Sequence, residues 1–166
     1  GLLGLNGAGK STILKAVTAE HYPTKGFVYV CKGNDFSDAY DTVKNPVEIK
    51  KMIGYVPEKS NLAKAFTVSE TLRMSIGISG IDKNSSNDCE RIKNIIGNFE
   101  LEMLFPKKIK ALSKGEEQRL SFALALIKNP PVLVLDEVTG GLDVKQAHNV
   151  KKTIRALARE KTVLLS

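Results

Sequence analysis

An α/β fold on a mostly parallel sheet, interrupted by a helical section, is what this sequence predicts. Three observations predict it. The runs Ile53–Val56, Val132–Leu135 and Thr162–Leu165 are short, apolar and rich in Val, Ile and Leu, the character of strands buried on both faces. Segments of helical period separate them, and strand character is missing from the capping-box pattern at Thr67 until Pro131. The length of 166 residues suffices for one hydrophobic core. The 42% hydrophobic and 26% charged content fits a globular chain and excludes collagen, coiled coil and intrinsic disorder.

Taken in order, residues 1–3 read as a stub of buried strand and residues 11–18 as a helix with Leu14 and Val17 inward. A turn at 23–26 leads to a short strand at 27–30, and the polar stretch 35–46 reads as loop. Residues 53–56 form a core strand closed by Pro57. Thr67 and Glu70 make a capping box that opens a helix. After a polar linker at 82–88, a helix over 91–99 turns Ile92, Ile95, Ile96 and Phe99 inward. A third helix, over 116–128, places Leu120, Ala123, Leu124 and Ile127 on one face and stops at Asn129, Pro130 and Pro131. The strand at 132–135 follows, then a helix with Ala147, Val150, Ile154 and Leu157 inward, then the strand at 162–165.

The longest apolar run, around residues 120–127, is far short of the roughly 20 residues that cross a bilayer. The start at Gly1, with no basic segment leading into an apolar one, suggests a fragment and not a processed secreted protein. Basic residues outnumber acidic ones by 25 to 18, a net charge of +7, but the lysines are scattered as on a solvated surface, not gathered in a polyanion groove. Cys31 and Cys89 form neither a disulfide framework nor a metal-ligand pair, and His21 and His148 are distant, so zinc has almost nothing to bind.

Gly4-Leu5-Asn6-Gly7-Ala8-Gly9-Lys10-Ser11 fits the phosphate-binding pattern G-x-x-x-x-G-K-[ST] between a strand and a helix. Small residues let the backbone curl so that successive N–H groups face one phosphate, and the helix adds its positive end. The nucleotide-binding residues are then Asn6, Gly7, Ala8, Gly9, Lys10, Ser11 and Thr12, with Lys10 reaching the β- and γ-phosphates and Ser11 placing its hydroxyl on Mg²⁺. Asp136 and Glu137 end the strand at 132–135, where open α/β sheets bind ligands. Asp136 can hold Mg²⁺ through water, and Glu137 can orient or deprotonate the water attacking the γ-phosphate. Read alone, Asp-Glu after a strand is also a solvated turn; beside the phosphate loop it reads as catalytic, with Lys10. The expected class is a P-loop NTPase of RecA-like α/β fold.

The sequence resembles the ATP-binding domains of ABC ATPases over essentially the whole chain. The most specific element is Leu112-Ser113-Lys114-Gly115-Glu116-Glu117-Gln118-Arg119, which resembles the ABC signature at the start of a helix. A helix-capping serine followed by surface charge is the alternative there, set aside because Lys10 and Asp136 are present. Gly140-Gly141-Leu142-Asp143 stands where the family has its D-loop, and Glu58 where it has its Q-loop. The resemblance implies an ABC-type helical subdomain inserted in the sheet domain. Residues 1–58 and 129–166 would form the core, and 59–128 the helical part with the signature.

It further implies ATP and Mg²⁺ as ligands, with Ser11, Glu58 and Asp136 at the metal. Two such domains, identical or not, would pair head to tail, Ser113, Lys114, Gly115 and Glu116 of each facing the nucleotide of the other, with Asp143 in the D-loop. A membrane-spanning permease, fused or separate, would be the other partner, placing the chain at the cytoplasmic face of a membrane; no specific nucleic acid is expected. Departures from the family pattern are Glu58 for glutamine, Lys114 for glycine, Glu116 for glutamine, Val138 for proline and Gly140 for serine. Glu58 and Lys114 are familiar in the exporter branch serving drug, polysaccharide and gliding-machinery permeases. The family's adenine-stacking aromatic would precede Gly1 and its switch histidine would follow Ser166, so the fragment alone is expected to bind ATP weakly and turn over little. The alternatives are a soluble ABC ATPase acting on ribosomes or nucleic acid, and a nucleotide-binding module without catalysis. Lys10 and Glu137 together argue against the latter.

Overall fold

The computed structural model describes residues 1–5, 7–31, 38–82 and 84–166. Asn6 and residues 35–37 of the expected loop lie outside them. Residues 1–5 are not a strand. Leu2 donates to Leu165 O at 2.7 Å, but the carbonyls of Gly4 and Leu5 accept from Lys10 Nζ at 3.0 and 3.1 Å, and Leu3 is fully exposed. The backbone turns away to serve the lysine before a ladder can form.

Helix α1 runs over Lys10–Val17 with Leu14 buried. Strands β1 (Tyr29–Cys31) and β2 (Ala39–Asp41) pair antiparallel, Val30 opposite Tyr40. The stretch 35–46 is therefore not all loop, contrary to its polar composition: β2 lies within it, and Pro46 begins helix α2 (Pro46–Met52). Asn45 stands at the N-cap and Pro46 at the first turn, where the missing N–H costs nothing. The parallel sheet starts with β3 (Ile53–Val56).

Then come α3 (Val68–Ile78), opened by the Thr67–Glu70 capping box, and α4 (Ser86–Asn98). The latter starts earlier than its apolar periodicity suggests because Ser85 caps it, accepting from Asp88 N at 3.4 Å. Helix α5 (Lys114–Leu126) is buried nearly all round from Gln118 onward, as a helix enclosed by other elements must be. Strand β4 (Val132–Leu135), helix α6 (Val144–Leu157) and strand β5 (Thr162–Leu165) complete the order, and the sheet runs β3-β4-β5, all parallel. The register sets Ile53 beside Val132 and Val132 beside Thr162.

Alternation along these strands divides the apolar side chains between two layers. Ile53 and Val134 join Leu14, Ile49 and Met52 beneath α1 and α2. Val56, Leu133 and Leu135 join the larger cluster with Leu72, Leu120, Phe122 and Ile127 from the opposite layer. Helix α5 reaches the sheet at Gly54, where a Cβ would lie 2.5 Å from Ala125 O and 2.8 Å from Leu133 Cδ2. Both faces are covered, and the carboxyl ends of β3, β4 and β5 open on one edge, bringing Glu58, Asp136, Glu137 and Ser166 to the same end of the sheet.

Candidate nucleotide site

The site is built where α1 meets that edge. A helix leaves its first N–H groups without partners inside the helix. Helices α3, α4, α5 and α6 each receive a side-chain cap from Thr67, Ser85, Ser113 and Asp143. Helix α1 does not: Gly9 precedes it in the left-handed region at φ 88°, makes no side-chain cap, and no acidic residue stands in the first turn. Gly7 shares this conformation at φ 83°. Only glycine adopts it without steric cost, and the turn leaves an open, positive helix end. Gly7, Ala8 and Thr12 are exposed around it.

Lys10 folds back over the loop toward Gly4 O and Leu5 O, and its Nζ lies 3.7 Å from Glu137 Oε1. Ser11 Oγ donates to Asp136 Oδ1 at 3.1 Å, and Asp136 is 2% exposed. Both oxygens are hard donors, the chemistry that suits Mg²⁺ better than a softer metal. The Tyr55 phenol, buried near Asp136, has its pKa pushed up, first by burial and then by the Asp136 charge. It stays neutral at any working pH. Ser11, Tyr55, Glu58 and Asp136 line one cleft of about 630 Å³.

Glu137 takes a left-handed backbone at φ 46°, uncommon for a residue with a side chain. Gly140 N donates to its carbonyl at 2.9 Å, closing the turn that points its side chain toward Lys10.

The residues resembling the signature lie elsewhere. Ser113 caps α5: its Oγ accepts from Glu116 N at 3.2 Å, while Glu116 Oε2 accepts from Ser113 N at 2.8 Å. Lys107 Nζ sits 2.8 Å from Glu116 Oε1, and this contact leads the causes that lower the Glu116 pKa. Ser113, Gly115 and Glu116 line a second cavity, between α5 and α6, which includes neither Lys10 nor Asp136. Lys114 reaches across to Gly141, whose Cβ, were there one, would lie 2.4 Å from its Nζ. Asp143 Oδ1 accepts from Gln146 N at 2.8 Å as the cap of α6. Within one chain, then, Lys10, Ser11, Asp136 and Glu137 come together and Glu58 shares their cleft; Ser113, Gly115 and Glu116 line a different cavity, while Lys114 and Glu117 line a third together with Glu58.

Two residues that sequence reasoning misses belong to this site, Tyr55 and Ser166. The hydroxyl of Ser166 donates to Asp136 Oδ1 at 2.7 Å and accepts from Glu137 N at 3.1 Å. A signal for it exists only in the pairing of β5 with β4, which sequence periodicity does not give.

Known proteins place this architecture. The ABC transporter ATP-binding protein NatA of Bacillus subtilis is 32% identical over 168 residues, covering 100% of this chain and 65% of that protein. The Nod factor export ATP-binding protein I of Burkholderia lata is 35% identical over 167 residues, covering 100% of this chain and 52% of that one. This chain therefore spans about two thirds and half of those relatives' lengths. Among solved structures, the dimeric post-hydrolysis state of the ATP-binding cassette MJ0796 bound to ADP and Pi superimposes with a TM-score of 0.77. It shares 30% identity, covering 98% of this chain and 71% of that one. The family described as ABC transporter matches residues 1–140, from the phosphate loop through the carboxylate pair to Gly140, and the chain belongs to that family.

Proposed function

We propose that this chain binds ATP with Mg²⁺ and hydrolyses it as the nucleotide-binding part of a transporter. The observation that carries this reading is the uncapped N-terminus of α1, with Lys10 folded over it and the Ser11–Asp136 pair beside it. An open helix end next to a lysine and two hard oxygen donors recognises a polyphosphate with its metal. When bound, Mg²⁺ neutralises charge on the β- and γ-phosphates. Ser11 and Asp136 would hold it, with Glu58 from the other wall of the cleft.

Lys10 exchanges the carbonyls of Gly4 and Leu5 for phosphate oxygens, a stronger, charge-assisted contact. This move also loosens its hold on Glu137, whose carboxylate is then available to orient a water and take its proton. The second half of the site comes from another nucleotide-binding domain. The placement of Ser113, Gly115 and Glu116 in a cavity that does not include Lys10 supports it, as does the dimeric state of the related cassette MJ0796. Ser113, Lys114, Gly115 and Glu116 would face the partner's nucleotide, and Asp143 would lie at the seam. Residues 1–58 and 129–166 act as the core and 59–128 as the helical subdomain. A permease docked on the latter would place the chain at the cytoplasmic face of a membrane.

The test is Glu137→Gln, which removes the base and leaves the binding residues intact. Turnover should fall by ~10³-fold or more, and ATP should convert the variant to a dimer on size-exclusion chromatography. A variant that binds ATP yet stays monomeric at high protein concentration would overturn the paired-site mechanism.

A further inference from the structure

Asp136 and Glu137 are neighbours in sequence with different tasks, and something must keep the two carboxylates facing different ways. Three facts converge on one residue. Asp136 Oδ1 receives two hydroxyl donors, Ser11 at 3.1 Å and Ser166 at 2.7 Å. The same Ser166 oxygen accepts the Glu137 N–H at 3.1 Å, at the residue whose φ of 46° is unfavourable for a side-chain-bearing position. Ser166 itself is anchored, its N–H donating to Leu135 O at 3.1 Å as a continuation of the β4–β5 ladder.

We propose that Ser166 is a positioning residue of the nucleotide site: its hydroxyl aims the Asp136 carboxylate at Ser11 and fixes the left-handed turn that presents Glu137 to Lys10. The assignment rests on the ATP and Mg²⁺ reading above. The chemistry gives the serine a role that Ser11 cannot share. A hydroxyl binds a metal through an oxygen lone pair and keeps its proton, so Ser11 can donate to Asp136 with or without Mg²⁺. Ser166 also takes the Glu137 N–H and so ties the two neighbouring residues together. One proton serves the arrangement, since the serine donates to Asp136 and accepts from Glu137 N. A residue with only a donor would hold the Asp136 carboxylate and release the Glu137 backbone N–H, and one with only an acceptor would do the reverse. Partners that orient metal-ligating carboxylates act on metal affinity as strongly as they act on rate.

The experiment compares Ser166→Ala, Ser166→Thr and Asp136→Asn in the full-length protein. The first readout is the Mg²⁺ concentration that half-saturates binding of a fluorescent ATP analogue, measured at equilibrium without turnover. The second is kcat at saturating Mg²⁺ and ATP. Ser166→Ala should raise the Mg²⁺ requirement about tenfold and lower kcat by a similar factor, with little change in the KM for ATP once Mg²⁺ saturates. Ser166→Thr, which keeps the hydroxyl, should return both to within about twofold of the parent. If Asp136→Asn shifts the Mg²⁺ dependence and Ser166→Ala does not, the positioning role is overturned, even if the variant is less stable. If Asp136→Asn leaves the Mg²⁺ dependence unmoved as well, it is the nucleotide reading itself that fails.

Discussion

Two glycines show how differently one methyl group weighs at single positions. A Cβ at Gly54 would meet the backbone oxygen of Ala125 at 2.5 Å, and neither β3 nor α5 can yield without disturbing the sheet. Gly54→Ala should therefore cost about 3 kcal/mol, read from the midpoint of urea unfolding. Gly141→Ala meets only the flexible end of Lys114, at 2.4 Å, so its cost is the left-handed backbone at φ 65°, about 1 kcal/mol. Equal losses in the two variants would contradict the close approach of α5 to β3. At this scale the candidate site is largely legible in the sequence, because Lys10, Ser11, Asp136 and Glu137 sit in two short contiguous patterns whose chemistry is local. Gly54 and Ser166 are not. What each does depends on a strand neighbour or a helix arriving from far along the chain, and no spacing in the sequence encodes that approach.

Among the elements, the Thr67–Glu70 capping box is legible in the sequence and the structure keeps it; the structure forms a second at Ser113–Glu116, where a capping serine is the alternative set aside. The second is pH-sensitive. Lys107, through its hydrogen bond, and then the Ser113 N–H hold the Glu116 carboxyl below its ordinary value of 4.5. A lowered folded-state pKa gives stability that is fully present above the unfolded value and disappears as pH falls through the folded one. Glu116→Gln keeps the reciprocal amide contact but not the charge. It should be less stable than the parent by up to about 1 kcal/mol at neutral pH, the gap closing in acid below 4.5, as followed by denaturant titration across pH. A gap that stays constant with pH would show that the ion pair contributes nothing. Elements with weak signals on this scale escape a reading of the sequence. Three residues at Ala39–Asp41 are too few to show alternation, and they are a strand because β1 pairs with them. Pro46 ends the polar stretch that reads as loop, yet with Glu48 in its first turn and Lys50 and Lys51 in its last it opens a helix with favourable charge at both ends.

For the whole molecule, the parallel sheet between two helical layers is legible from the strand runs, since continuous Val and Leu without alternation require cover on both faces. If the uncapped end of α1 is where polyphosphate binds, ligand should stabilise the entire fold by linkage. At Mg-ATP one hundred times Kd the gain is about 2.7 kcal/mol, a rise of roughly 5–10 °C in Tm for a chain of this size, and Lys10→Ala should abolish it. A Lys10→Ala protein with the parent's thermal shift would disprove the role of that lysine. The division of the interior into unequal halves has a further consequence, in the order in which parts of the molecule open. The helix carrying the phosphate loop rests on the smaller cluster, whose buried members are Leu14, Ala19, Ile49, Met52, Ile53 and Val134, while α5 is sunk into the larger one. Backbone amides of α1 and α2 should therefore exchange with deuterated solvent through cheap local openings, whereas those of α5 wait for global unfolding. If polyphosphate binds at α1, the part of the protein that holds it would be the part that opens most readily, and a bound polyphosphate would slow its exchange far more than it slows the rest.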